Sequence, residues 1–133
     1  MDELAKDEDD RELSAIADGL LAIDSTQYES EAAIFLYSRL KEEIFTVVAD
    51  QLYDEGYDLY SSNKYEEALE ILLKAYALNP NDVNAIYFIG RSYHRLRDYE
   101  NATLYYTIIT TDFADTNRYS QAMDRLSEIP AQD

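Results

Sequence analysis

Two small groups of side chains carry most of the chemical potential of this chain. Arg91, His94 and Arg95 recur at helical spacing, so a helix there would set all three on one face, with Arg97 close by. Guanidinium groups pair bidentately with carboxylates, so this cluster is a local positive site in a chain whose net charge is −17. Tyr53, Tyr57 and Tyr60 are separated by four and then three residues and also share a face. Such a row offers rigid, amphipathic contact area with hydroxyls for hydrogen bonding. Both groups suit the recognition of another molecule. A plainer alternative is that Arg91, Arg95 and Arg97 neutralise Glu55, Asp58 and Asp98 on neighbouring helices.

Catalytic sets are missing at this level. His94 is the one histidine and cysteine is absent, so no Cys–His pair exists. A serine triad would need His94, and no G-x-S-x-G turn marks a nucleophile. The three glycines stand isolated at 19, 56 and 90, which excludes a glycine-rich phosphate loop. Asp7-Glu8-Asp9-Asp10 lacks the glycine-containing loop of alternating oxygen ligands that calcium requires. The expectation is therefore no enzyme, no catalytic residue, no metal and no cofactor.

The elements that must position these groups are helical, because only 3 glycines and 2 prolines interrupt 133 residues. Residues 1–10 form a dense acidic run that repels itself and should fray. A short helix is expected over Arg11–Ile23. Thr26 with Glu29 has the spacing of a capping box, so a second helix should begin near Gln27. Phe35, Leu36, Leu40, Ile44, Val47 and Val48 keep a helical rhythm, and no proline interrupts them before Tyr60. Two arrangements fit residues 11–48: a long helix with the first folded back on it, or a worn additional repeat. Further helices are expected over about Lys64–Leu78, Val83–Leu96, Tyr99–Thr111 and Asn117–Glu128. Asn63 with Glu66, Asp82 and Asp98 are the candidate N-caps. Pro80 stops one helix and Pro130 closes the last.

Two of these segments repeat. Gly56 and Gly90, Tyr65 and Tyr99, and Ala68 and Ala102 are each 34 residues apart. Small residues belong where two helices cross closely, and aromatic rings fill the space beside them. The set Leu52, Gly56, Leu59, Tyr65, Ala68, Leu72, Ala75 and Pro80, echoed by Ile86, Gly90, Tyr93, Tyr99, Ala102 and Tyr106, resembles the tetratricopeptide repeat (TPR) family. The resemblance implies an all-α fold of antiparallel helix pairs stacked as a short right-handed solenoid. Repeat one would span 49–82, repeat two 83–116, and residues 117–129 would cap the exposed end after an N-terminal extension over 11–48. Glu55, Ile109 and Ala114 depart from the family pattern, and the last two suit a repeat that ends an array.

In TPR domains the first helix of each pair lines a concave groove. Carried onto this chain, the lining is Asp50, Tyr53, Tyr57, Tyr60, Tyr87, Arg91, His94 and Arg95. Tyr65, Tyr93, Tyr99 and Tyr106 fall at packing positions and are expected in the core. Tyr53 and Tyr57 stand where the chaperone-binding type of groove carries its terminal-carboxylate clamp, so that activity is not implied. Residues 111–117 are also similar to a joint in bacterial envelope-associated TPR proteins, which implies an envelope assembly as one setting.

Partner classes follow from charge. At −17 the chain repels nucleic acid and anionic lipid surfaces, and no basic stretch offsets this. No run of 18 apolar residues is present and Met1-Asp2-Glu3 lacks signal-peptide character, so no membrane insertion is expected of this sequence. A cytoplasmic protein and an extracytoplasmic domain of a larger envelope protein both fit. The expected work is binding a protein or peptide, with an acidic or C-terminal segment lying between Tyr57/Tyr60 and Arg91/Arg95. The alternative is a homo-oligomer held by the long N-terminal helix.

Overall fold

The computed structural model describes residues 31–131, and every regular element among them is an α-helix. In chain order these are α1 (Glu31–Ser61), α2 (Tyr65–Leu78), α3 (Val83–Arg95), α4 (Tyr99–Asp112) and α5 (Arg118–Glu128). The chain divides into two compact units, Met1–Gln51 and Leu52–Asp133. The acidic run, the Arg11–Ile23 helix and the Thr26 cap lie outside the described residues.

α1 contains no proline, and its one glycine, Gly56, sits near its end. No turn therefore separates the described part of the extension from the first helix of repeat one. In the first unit Tyr37, Phe45, Val48 and Ala49 are buried, and Lys41 places its ammonium within 5.9 Å and 5.6 Å of the Tyr37 and Phe45 ring centroids. Leu36, Leu40 and Val47 are exposed along another face, with Ile44 half-buried between them.

In the second unit the end of α1 pairs with α2, α3 with α4, and α5 packs on α4 and α3. Two small residues permit the pairings. A Cβ at Gly56 would stand 2.6 Å from Leu72, and one at Gly90 would stand 2.8 Å from the Tyr106 ring. Leu72 and Tyr106, themselves 34 residues apart, are fully buried beneath those glycines. Ala68, Leu69, Leu72 and Ile89 form one core cluster. Ile86, Tyr87, Ala102, Tyr106, Ile109 and Ala122 form a second, through which α5 joins the fold.

The turns repeat as closely as the helices do. Asn63 (φ 66°) and Arg97 (φ 65°) both adopt the left-handed conformation that ends a helix. In each turn the following amide reaches back to a carbonyl, Lys64 N–H to Leu59 O and Asp98 N–H to Tyr93 O, both at 2.9 Å. Asp82 accepts hydrogen bonds from the amides of Asn84 and Ala85, and Asp98 from that of Asn101, as N-caps should.

Asn63 is not the N-cap the sequence predicts. It already occupies the left-handed turn position, its Oδ1 accepts from the Tyr65 hydroxyl at 2.8 Å, and the cap falls to Lys64, which makes no side-chain cap bond. Of the four tyrosines expected in the core, Tyr106 is fully buried. Tyr65, Tyr93 and Tyr99 are half-buried, with the Tyr65 hydroxyl bonded to Asn63 and Arg95. On α5, Ala122 is buried while Tyr119 and Met123 remain exposed.

Candidate functional site

The end of α1, the length of α3 and one side of α5 contribute a continuous set of aromatic and cationic side chains within the second unit. Tyr53 and Tyr57 stack at 6.2 Å, as their four-residue spacing on one helix dictates. Phe88 on α3 closes against them, its centroid 4.9 Å from Tyr57, 5.1 Å from Tyr60 and 5.2 Å from Tyr87. Phe88 is the residue that sequence reasoning missed. The repeat period offers no signal there, since the matching residue of repeat one is Asp54, but Phe88, Arg91 and Arg95 do share helical spacing. Tyr57 stays 42 % exposed at the edge of this row.

Arginines on this side of the unit are held by phenols. Arg91 Nε donates to the Tyr60 hydroxyl at 3.1 Å, and Arg95 Nε to that of Tyr65 at 3.0 Å. Arg125 Nε donates to the Tyr87 hydroxyl at 3.1 Å while its Nη1 pairs with Glu128 at 2.8 Å. Arg118 lies 4.6 Å from the Tyr87 centroid and 5.1 Å from that of Phe88, with its Nε bonded to Asn84. Covered in this way, Tyr87 is only 4 % exposed and presents little surface of its own. Asp50 is exposed and belongs to the first unit. Among the described residues Arg91, Arg95 and Arg97 enter no ion pair, so the alternative in which Glu55, Asp58 and Asp98 pair with them finds no direct contact.

Those three arginines instead border an open pocket of about 480 Å³, together with His94, Arg125, Tyr65, Tyr99 and Glu128. His94 places Nδ1 3.1 Å from the Tyr106 hydroxyl and its ring edge-on to Tyr99. Burial lowers the pKa of His94 below its ordinary 6.5, and Arg91, Arg125 and Arg95 push the same way against the raising effect of Glu128, so the neutral imidazole is favoured. Burial raises the pKa of Tyr106, which keeps its proton available for that hydrogen bond. Tyr53 is shifted upward by the same cause, partly opposed by Arg118. Among the described residues no three His, Cys, Asp or Glu side chains gather to hold a metal ion.

The stacked helix pairs and the small residues at their crossings agree with a comparison against known families. The family model described as anaphase-promoting complex, cyclosome, subunit 3 matches residues 26–106, more than half of the chain. The chain belongs to this family of TPR-like repeats. Its all-helical architecture is that of a TPR-like solenoid. Repeats of this kind generally mediate protein–protein interaction and are typically non-enzymatic scaffolds. The match concerns the repeat and does not bear on the envelope similarity of residues 111–117. No curated protein and no solved structure gives a match. Among the described residues no helix is long and apolar enough to cross a membrane.

Proposed function

We propose that this TPR module binds an acidic peptide segment across the face formed by Tyr57, Tyr60 and Phe88 and by Arg91, His94 and Arg95. The observation that carries the proposal is the set of arginines without carboxylate partners beside an aromatic row in a chain of charge −17. Exposed rings supply apolar contact with little conformational freedom to lose, and guanidinium groups fix an acidic segment by charge-assisted hydrogen bonds. The face is taken as a binding surface, in keeping with repeats that are typically non-enzymatic scaffolds.

A pull-down from lysate and envelope fractions tests this, comparing wild type with Tyr57→Ala/Arg95→Glu. Both positions are exposed, so helicity by circular dichroism should be unchanged. Loss of a captured partner from the double variant supports the face; retention by both moves the contact elsewhere.

The exposed stripe of Leu36, Leu40 and Val47 favours a second role, self-association through α1. Sedimentation over a wide concentration range decides it: a constant monomer mass removes self-association, and a mass that rises in wild type but not in Leu40→Glu/Val47→Glu supports it.

A further inference from the structure

We infer that the arginine pocket beside the aromatic row receives the phosphoryl group of a phosphorylated side chain on the bound peptide. This rests on the peptide-binding role proposed above and assigns the chemistry of its charged end.

The composition of the pocket exceeds what a carboxylate needs. Four of the seven arginines of the chain, Arg91, Arg95, Arg97 and Arg125, border it together with His94. Its one carboxylate, Glu128, is already engaged by Arg125 at 2.8 Å. A carboxylate carries one charge and is satisfied by a single bidentate guanidinium, whereas a phosphomonoester carries about −1.5 to −2 and three strong acceptor oxygens. Arg91, Arg95 and Arg97, which enter no ion pair among the described residues, exceed what the first needs and suit the second.

The arginines are also arranged in advance. Arg95 is tethered through Nε to the Tyr65 hydroxyl, with its guanidinium carbon 5.4 Å from that ring centroid. No partner among the described residues takes its terminal nitrogens. Arg97 stands in the left-handed turn position that repeat one fills with Asn63, a residue better suited to that backbone. The result is an arginine at the pocket rim where turn chemistry alone would favour asparagine or glycine.

Long-range charge narrows the source of the phosphate. At −17 the chain repels nucleic acid and anionic membranes as extended polyanions, while a single phosphoryl group on a short peptide offers far less charge for that repulsion to act on. Arg91, bonded to Tyr60, bridges the pocket to the aromatic row, so residues flanking the phosphate would run onto Tyr57 and Phe88.

The test is fluorescence polarisation of the full chain with three peptide libraries of randomised flanks, whose central residue is phosphoserine, glutamate or serine. Inorganic phosphate and vesicles carrying a phosphoinositide serve as further probes. The phosphoserine library should bind at least tenfold more tightly than the glutamate library. Arg95→Gln/Arg97→Gln, at two exposed positions, should abolish that preference. Equal binding of phosphoserine and glutamate overturns the phosphoryl assignment and leaves the acidic-segment role standing. Binding of vesicles or inorganic phosphate without binding of phosphopeptides also overturns it. If no peptide library binds, the assignment fails, and the Tyr57→Ala/Arg95→Glu pull-down independently reports whether the peptide-binding role fails with it.

Discussion

His94 Nδ1 lies 3.1 Å from the hydroxyl of Tyr106, a residue whose ring is buried completely beneath Gly90. One hydrogen bond thus ties the packed centre of repeat two to the charged pocket on its surface. Because Tyr106 keeps its proton, its O–H can donate to the neutral imidazole. Tyr106→Phe should therefore lower stability by about 1 kcal/mol, the usual net worth of such a bond, while the helices remain intact. It should also raise the pKa of His94, since the neutral ring loses its donor. Urea denaturation and an NMR titration of the ring proton measure the two effects.

The depressed pKa of His94 has a pH consequence of definite sign. In the unfolded chain the group titrates near 6.5; in the folded chain it titrates lower. As pH falls below about 6.5 the unfolded state takes up the proton first, so this group's contribution to stability is present above that pH and is lost below it. The groups facing it are Arg91 and Arg95 on α3, Tyr99 and Tyr106 on α4, and Arg125 and Glu128 on α5. The difference in unfolding free energy between wild type and His94→Gln, followed from pH 7.5 to 5, should shrink with falling pH. A flat difference would show that His94 is not perturbed. An anion whose own charge is constant over this range, such as sulfate, should reverse the effect locally, raising the pKa of His94 and binding more tightly at pH 6 than at pH 7.5.

Gly56 and Gly90 should each resist substitution. An added methyl would meet Leu72 at 2.6 Å or Tyr106 at 2.8 Å, and both partners are fully buried with no open side to move toward. Gly56→Ala and Gly90→Ala should each cost about 1–3 kcal/mol, the range for overpacking a close-packed contact. Thermal denaturation should place both well below wild type, although alanine is the better helix former.

Asp82 and Asp98 should each matter at a helix start. Their carboxylates accept from first-turn amides of α3 and α4 that otherwise lack intrahelical partners. Asp82→Ala and Asp98→Ala should cost about 1 kcal/mol each. Asn63→Ala should act differently, since Asn63 caps no helix: the loss comes from forcing alanine into the left-handed region at φ 66°. Asn63→Gly, which tolerates that backbone, should restore most of it, and a urea series on the four variants separates the two mechanisms.

Much of this fold is written in local signals. The stop at Pro80 and the caps at Asp82 and Asp98 each act within a turn or two of chain, and the return of Gly56 as Gly90 is legible as a 34-residue period, so together they locate helices and pairings from the sequence alone. The face-sharing of Tyr53, Tyr57 and Tyr60, and of Arg91, His94 and Arg95, follows from helical geometry in the same way. Partners across helices could not be read so. That the arginines bond to Tyr60, Tyr65 and Tyr87 rather than to carboxylates depends on where residues about 30 or more positions apart come to rest. Asn63 illustrates the same limit at short range, because its capping spacing is overruled by the left-handed turn it must make. Phe88 enters the aromatic row, Tyr87 disappears beneath Arg118 and Arg125, and Arg125 joins the pocket only once α5 packs on α3 and α4. Short-range hydrogen bonding and periodicity determine which segments coil; the pocket and its charge are settled by which helix faces meet, a property of the packed unit and not of any one segment.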